Sequence, residues 1–351
     1  MPHEEVKRKL VKKLPNAHAK STRTLVLLII LFAAVFLVSF CFGRYGVPFK
    51  ELLRILVNKI IPLEISWTTQ METTVINIRL PRILMACLVG CCLSVAGASY
   101  QGVFQNPMAS PDILGASSGA AFGAALAILY GASSQMVTVL AFISSLVTVG
   151  VVFFVGTRAP GNRIINLILS GIMISSLFTA GTSYIKLVAD PTNQLPEITY
   201  WLMGSMAGAK LKDVGFVVVP MAIGLIPLFL LRWQINILTL GDEQARTIGV
   251  NANAMRFIII ICSTLITAAS VSVSGMIGWV GLVIPHLCRK IIGSNYRYMM
   301  PACMIIGAMF MLFVDNISRN LLATEIPIGI LTAFVGAPFF IYLITRKEGA
   351  L

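Results

Sequence analysis

Long apolar stretches separated by short polar connections dominate this chain. A bilayer core requires about 20 mostly apolar residues per helix, and a helix satisfies its own backbone hydrogen bonds there. The pattern predicts ten such segments, at residues 25–43, 82–104, 112–130, 135–156, 164–187, 213–231, 255–273, 278–293, 299–315 and 326–345. The expected fold is therefore an all-α integral membrane protein with about ten transmembrane helices.

The distribution of Lys and Arg orients these helices. With the N-terminus inside, seventeen of the 27 basic residues fall on the inner side, as expected for cytoplasmic loops. Both termini are therefore predicted to be cytoplasmic. Residues 1–24 are expected to form a disordered basic tail against an anionic leaflet, residues 25–345 a single transmembrane domain, and residues 346–351 a second cytoplasmic tail. The outer segment 47–61 is predicted to form a short interfacial helix.

Composition agrees with a membrane location. The chain has 57% hydrophobic and 12% charged residues and a mean hydropathy of +0.87, whereas soluble domains carry about twice that charged fraction. Despite the net charge of +13, the basic residues form no stripe with interleaved aromatics, so membrane lipid rather than nucleic acid is the expected partner. The seven cysteines lie almost entirely in apolar runs, where Cys behaves as a small hydrophobe.

The sequence offers little chemistry of its own. It contains no Gly-x4-Gly-Lys-Ser/Thr loop, so any ATP hydrolysis must come from a partner. His3, His18 and His286 cannot form a metal cluster with the dispersed acids, and His286 is expected to be a hydrogen-bonded core residue. No catalytic residue, metal ligand or cofactor is therefore predicted, and the chain is not expected to be an enzyme. Ion-coupled carriers place ionisable groups near the midplane, so the charge-poor spans favour a pathway driven from outside.

Three motifs, spread over most of the chain, carry a specific resemblance. The first is RLPR at residues 79–82, followed by an apolar helix and QGVFQNPMASPDILG at residues 101–115. The second is GWVGLVIPHLCR at residues 278–289. The third runs from Asp315 through Arg319 to EIPIG at residues 325–329 and GAPF at residues 336–339. Together these motifs resemble the FecCD family, the permeases of type II ABC importers.

The resemblance implies an assembly and a function. Two ten-helix subunits, identical or closely similar, would form one channel on their two-fold axis in the cell membrane. Two cytoplasmic ATPase subunits would bind ATP and Mg, and an external substrate-binding protein would deliver the cargo. A ferric siderophore is the preferred cargo, and haem, cobalamin and molybdate stay open. The alternatives of other classes are a secondary carrier driven by an ion gradient and a sensory or assembly protein without transport.

Two elements are expected to form the cytoplasmic gate. Pro107 cannot donate a backbone hydrogen bond and breaks the helix, so the turn can project Asn106 and Met108 sideways. The resemblance implies that these two residues line the gate, although Leu is more usual at the position of Met108; a simple interhelical turn is the alternative. The start of the fifth span, with Leu167 and Ser170, resembles the second gate element.

The polar segment at residues 240–250 is expected to contact the ATPase. Asp242 and Glu243 are predicted to begin a short helix, where acids favour the helix dipole, and Gly249 is predicted to end it. The resemblance implies a coupling helix whose contacts are Gly241, Glu243, Ala245 and Gly249. A solvated connector is the alternative.

Arginines and glycines complete the candidate residues. Arg79, Arg82 and Arg319 lie at predicted outer helix ends, where isolated arginines often extend to the lipid headgroups. The resemblance implies instead that they receive carboxylates of the external binding protein, with Asp315 and Glu325 orienting Arg319. Glycines at four-residue intervals predict a smooth stripe for close helix packing, and these are Gly115, Gly119 and Gly123.

Overall fold

The computed structural model describes residues 2–43, 45–59, 61–62 and 64–345. Within this part of the chain all regular structure is helical. The α-helices are α1 (Pro2–Ser39), α2 (Phe49–Asn58), α3 (Thr69–Thr73), α4 (Leu80–Val103), α5 (Ala116–Leu129), α6 (Ser134–Arg158), α7 (Arg163–Val188), α8 (Gln194–Met203), α9 (Leu211–Leu230), α10 (Arg232–Leu238), α11 (Asp242–Thr247), α12 (Ala252–Ser274), α13 (Val280–Ile292), α14 (Tyr296–Asn320) and α15 (Ile328–Thr345). A π-helical turn, Thr74–Arg79, joins α3 to α4, and a 3₁₀ turn, Pro111–Leu114, precedes α5.

Each of the ten predicted spans coincides with one of these helices, which confirms the predicted fold. Seven of the described helices are long and apolar enough to cross a membrane. The other three predicted spans correspond to the shorter helices α5, α13 and α15. Gly, Pro and polar residues interrupt these segments, so these three helices are shorter than the predicted spans.

Helices α4 and α12 form the centre of the bundle. Most of the apolar stretch of each is buried within the chain, whereas none of the apolar stretch of α1 is buried. Helix α4 packs against α12, α13 and α14, and α5 packs against α6 and α7. The bundle therefore surrounds α4 and leaves α1 at its edge, where it packs on α14.

Close glycine contacts set the spacing around α4. A Cβ atom at Gly97 would overlap the carbonyl oxygen of Gly281 on α13, and one at Gly90 would overlap that of Gly307 on α14. Small residues let transmembrane backbones approach in this way, because packing drives association where the hydrophobic effect does not. Sequence reasoning did not single out these four glycines.

The predicted glycine stripe is only partly a helix face. A Cβ at Gly119 would overlap Thr148, and one at Gly123 would meet the carbonyl oxygen of Leu140 on α6 at 2.5 Å. Gly115, in contrast, precedes α5 with a φ of +77°, a conformation that glycine adopts without strain. A Cβ atom at Gly115 would meet Ser175 of α7.

The ends of the chain differ from the sequence expectation. Helix α1 begins at Pro2, so residues 2–24 continue the first span as helix instead of a disordered tail. This segment is rich in Lys, Leu and Arg, which are good helix formers. The predicted tail at residues 346–351 lies outside the described residues. On the outer side, α2 forms within the predicted interfacial segment 47–61.

Candidate functional sites on the two membrane faces

Two of the predicted docking arginines meet a single carboxylate. Arg82 Nε lies 2.8 Å from Asp315 Oδ1, and Arg319 Nε lies 3.0 Å from Asp315 Oδ2. Asp315 is fully buried, so one carboxylate on α14 links both guanidinium groups. Arg82 Nη1 also donates to both oxygens of Glu325, at 2.8 and 2.9 Å. The cluster joins α4, α14 and the connection before α15.

Arg79, the third predicted docking residue, has no carboxylate partner among the described residues. Its guanidinium donates to the backbone carbonyl oxygens of Phe40 and Tyr45. The side chain therefore fixes the outer end of α1 to the start of α4.

The burial of these arginines bears on their predicted role. Arg79, Arg82 and Arg319 are 3%, 6% and 8% exposed, so they do not form an open row on the surface. Asp315 contacts Arg319 as expected, but Glu325 contacts Arg82 instead. These three residues are also not isolated arginines that extend to the lipid headgroups.

The turn after α4 has the predicted form. Asn106 Oδ1 accepts a hydrogen bond from the backbone N–H of Met108 at 2.9 Å, as Asn often does in turns. Both side chains are exposed, so the turn presents them at the surface of the single subunit. Gln105, just before the turn, has a φ of +50°.

The second predicted gate element faces another way. Leu167 and Ser170 are buried within the subunit, and Leu167 packs on Gly156 of α6. They are therefore not on the same surface as Asn106 and Met108. Helix α7 instead exposes Leu169, Ile172 and Met173, together with the hydroxyl-bearing residues Ser176, Thr179 and Ser183.

The polar segment between α10 and α12 forms the short helix α11 with the predicted limits. Asp242 begins the helix and forms an ion pair with Arg256 of α12, at 2.8 Å between Oδ1 and Nη2. The hydrogen bond from the Arg256 guanidinium lowers the pKa of the Asp242 carboxyl. Arg256 is only 4% exposed, so the ion pair anchors α11 to the bundle.

The end of α11 is a Schellman motif. Val250 N–H donates to the carbonyl oxygen of Ala245, and Gly249 N–H donates to that of Arg246, both at 2.9 Å. Gly249 has a φ of +82° and open space around its Cα, in agreement with its predicted place.

The predicted coupling residues divide into exposed and buried positions. Glu243 and Gly249 are exposed, and Gly241 is partly exposed with a φ of +110°. Ala245 is fully buried, so it packs inside the subunit and offers no surface to a partner. The face of α11 opposite Ala245 is open.

A polar network joins α4, α13 and α14. Arg289 donates to Gln101 Oε1 and lies 3.4 Å from His286 Nδ1, between its Nη1 and that ring nitrogen. His286 thus has a polar neighbour inside the bundle, as predicted. Tyr296 donates to the carbonyl oxygen of Ala98 at 2.8 Å.

Sequence reasoning missed Asp112. This residue lies in the 3₁₀ turn before α5, its side chain is exposed, and its Oδ1 accepts a hydrogen bond from Ser117. A signal was present in the sequence, because Asp112 is the only Asp, Glu, Lys, Arg or His between Arg82 and Arg158.

These features define a class of protein. A multi-helix membrane bundle carries an exposed turn and an anchored polar helix, and its charges concentrate at the ends of its spans. Among the described residues no group of three or more His, Cys, Asp or Glu side chains could hold a metal ion. The arrangement is that of a multi-pass membrane permease.

Comparison with known proteins identifies the family. The model of the FecCD transport family matches residues 28–346. The molybdate import system permease protein MolB of Haemophilus influenzae is 37% identical over 96% of this chain and 99% of its own length. A probable iron chelatin transport system permease protein of Helicobacter pylori is 37% identical over 80% of this chain and 85% of its own length.

A solved structure agrees with these relatives. An inward-facing metal-chelate type ABC transporter matches with a TM-score of 0.83 and 36% identity, over 92% of this chain and 99% of that one. The chain belongs to the FecCD transport family. It is a permease of the type II ABC importer class and a multi-pass protein of the cell membrane, which confirms the resemblance found in its motifs.

Proposed function

We propose that this permease carries a ferric siderophore into the cytoplasm as one of two permease subunits, powered by a pair of ATPase subunits. The observation that carries the proposal is α11, a short polar helix with an open face outside the membrane spans. An ion pair between Asp242 and Arg256 fixes it to α12. A helix held in this way can transmit the movement of a bound partner to the bundle.

The exposed face of α7 and the turn after α4 are the proposed pathway and gate. The hydroxyl groups of Ser176 and Ser183 donate to backbone carbonyl oxygens one turn earlier, at 2.9 and 3.0 Å. This face is therefore apolar to weakly polar and uncharged, which suits passage of a bulky chelate without tight binding. Asn106 and Met108 are the proposed gate residues, and exposed residues of α7 replace the buried Leu167 and Ser170 in that role.

The coupling residues in this proposal are Gly241, Glu243 and Gly249. Glu243 is exposed in the first turn of α11, and the two glycines allow the backbone to enter and leave the helix. Ala245 supports this surface from inside.

The outer cluster is proposed to shape the docking surface for the external binding protein. Arg82 and Arg319 hold the ends of α4 and α14 together through Asp315. The Glu325 side chain is 36% exposed, so the surface that meets a partner lies beside the cluster. Arg79, Arg82 and Arg319 would then position this surface rather than form its outermost layer.

Molybdate is the second candidate cargo. The relative that spans almost the whole chain is named as a molybdate permease, whereas the iron chelatin permease covers less of it. Haem and cobalamin are tested in the same way as these two cargos.

Reconstitution in vesicles tests the proposal. The permease, its ATPase subunits and its binding protein are supplied with ferric siderophore, haem, cobalamin or molybdate, and accumulation is measured with and without ATP. ATP-dependent accumulation of the ferric siderophore is expected. Uptake that survives without ATP but stops when ion gradients are dissipated would indicate a secondary carrier. An assembly that hydrolyses ATP but accumulates none of the four cargos would contradict the proposal.

A further inference from the structure

Asp112 lies well inside the membrane-spanning part of the bundle. Its neighbour Pro111 packs on Gly281, which in turn packs on Gly97 of α4. Gly97 is six residues from the inner end of α4 at Val103, or about 9 Å at 1.5 Å per residue. The chain therefore turns back into the membrane after the exposed turn.

A second measurement supports this depth. The carbonyl oxygen of Ile113 packs on Gly171, eight residues into α7 from Arg163, which corresponds to about 12 Å. Gly115 packs on Ser175, still further from the inner end of α7. Helices α4 and α7 independently place Asp112 about 10 Å inside their cytoplasmic ends.

An ionisable residue at such a depth needs a polar environment. An acid facing lipid is costly, and such residues line water-filled cavities or meet partner groups. Asp112 is exposed on the surface of the subunit, and Ser117 occupies only one of its oxygens. No hydrogen bond from the described residues reaches Oδ2, and Asp112 lies on the same re-entrant segment that begins with the exposed Asn106 and Met108.

We infer that Asp112 faces the translocation pathway just outside the gate and makes it selective for neutral or cationic metal chelates over anionic ones. The inference rests on the proposed function and narrows its cargo. A fixed carboxylate beside a narrow passage repels anions strongly, because low-dielectric walls leave the field poorly screened. In a homodimer the second subunit contributes a second carboxylate.

The inference separates the open cargos by charge. Three hydroxamate groups neutralise Fe³⁺, and an additional free amine makes such a complex a cation. Three catecholate groups leave a trianion, and molybdate is a dianion. Asp112 therefore favours hydroxamate-type siderophore complexes and disfavours catecholate complexes and molybdate.

The test compares variants within one assembly. The complete importer is reconstituted in vesicles with saturating binding protein. Each sample is supplied with one probe, which is a neutral ferric trihydroxamate, a cationic amine-bearing ferric trihydroxamate, a ferric tricatecholate or molybdate. Initial uptake per ATP hydrolysed is measured for wild type and for Asp112→Asn. For each probe, the uptake of the variant is divided by the uptake of wild type. This ratio cancels the cargo preference of the binding protein, which is the same in both measurements.

The expected result is a ratio that changes with charge. Asp112→Asn should lower the ratio for the cation and raise it for the anions, by roughly fivefold to tenfold between the extremes. Asp112→Glu, which keeps the charge, should restore the wild-type order. Ser117→Ala removes a hydrogen bond but keeps the carboxylate, and should change all probes by the same factor.

Two failures can be distinguished. Equal ratios for all transported probes would overturn the selectivity of Asp112 while leaving the importer function in place. If only one probe is transported, Asp112→Lys should lower the rate for the cation, raise it for an anion and leave it unchanged for the neutral complex. Any other result overturns the inference. Failure of the assembled wild type to move any probe would contradict the proposed function itself.

Discussion

Gln105 Nε2 donates a hydrogen bond to the backbone carbonyl oxygen of Leu238 at 2.9 Å. This bond joins the turn after α4 to the end of α10, immediately before α11. Gln105 holds a φ of +50°, a region that costs a non-glycine residue about 1 kcal/mol. The structure thus maintains a strained residue where a side chain of the proposed gate turn bonds to the end of α10, two residues before the proposed coupling segment.

We expect Gln105→Met to reduce coupling. Met has nearly the same length but no donor, so the link of about 1 kcal/mol is lost. Uptake per ATP hydrolysed should fall severalfold while the ATPase subunits stay bound. The control is Gln70→Met, an exposed residue on the outer side, which should leave the ratio unchanged. Normal uptake per ATP in Gln105→Met would contradict a role for this contact.

The ion pair between Asp242 and Arg256 should make stability depend on pH. Arg256 lowers the pKa of Asp242 in the folded protein, so the contribution is fully present above the unfolded pKa of about 3.9. It is lost as the pH falls through the lower folded value. Thermal unfolding in detergent at a series of pH values should therefore show the contribution disappearing only in strongly acidic solution.

A variant isolates this contribution. Asp242→Asn should destabilise the protein by about 1 to 2 kcal/mol near neutral pH, because Arg256 stays buried without its partner while the carboxylate was itself partly exposed. The difference from wild type should shrink at acidic pH. Glu243→Gln removes the same charge from the same helical turn and should have little effect on thermal unfolding. A loss of equal size in both variants would contradict the assignment.

Arg82 should contribute strongly to the stability of the folded permease. Arg82→Gln leaves the buried Asp315 with Arg319 alone, and breaking a buried ion pair costs about 3 to 5 kcal/mol. Thermal unfolding of the purified permease is the measurement. Arg54→Gln is the control, because the Arg54 side chain is 42% exposed and lies 3.9 Å from Glu51, a separation at which a surface pair contributes little. Its other contact, a hydrogen bond to Ser66, is also at the surface. An unchanged unfolding temperature in Arg82→Gln would contradict the structural role.

Local chemistry allowed parts of the fold to be predicted from the sequence. Asp242 and Gly249 mark the limits of α11 because helix ends depend on neighbouring residues. Hydrophobic stretches located the spans because the bilayer imposes their length. The orientation of Leu167 and Ser170 could not be predicted, because lipid-facing and interior sides of a transmembrane helix are both apolar and show no periodic contrast.

Long-range pairs were also beyond the sequence. Arg82 and Asp315 are 233 residues apart, and no spacing rule connects them. The motif suggested that arginines and acids belong together, but it paired Glu325 with Arg319 when its partner is Arg82. The extended helix α1 arose where the sequence predicted a disordered tail, since its charged residues also have high helix propensity.

The contact between Gly97 and Gly281 should tolerate no side chain. Gly97→Ala would place its Cβ on the carbonyl oxygen of Gly281, and overpacking of this kind costs about 1 to 3 kcal/mol. Gly150→Ala is the matched control, because Gly150 is also within a helix and has open space around its Cα. Thermal unfolding should show a clear loss in the first variant and no loss in the second.

Gly249 provides the sharpest test of α11 as a coupling element. Gly249→Val forces a β-branched residue into a φ of +82°, where the strain is about 1 to 2 kcal/mol. There is space for the side chain, so the expected effect is a changed exit from α11 rather than a clash. Binding of the ATPase in a pull-down should fall about tenfold, which corresponds to 1.4 kcal/mol.

Two further variants separate this effect from general strain. Gly249→Asn should keep most of the binding, because Asn tolerates the left-handed region. Gly293→Val introduces the same strain at the end of α13, where φ is +91° and the Cβ position is also open. If Gly293→Val weakened ATPase binding as much as Gly249→Val, the loss would follow from destabilised helices in general. A loss confined to Gly249→Val means that the backbone exit from α11 itself determines how the ATPase is held.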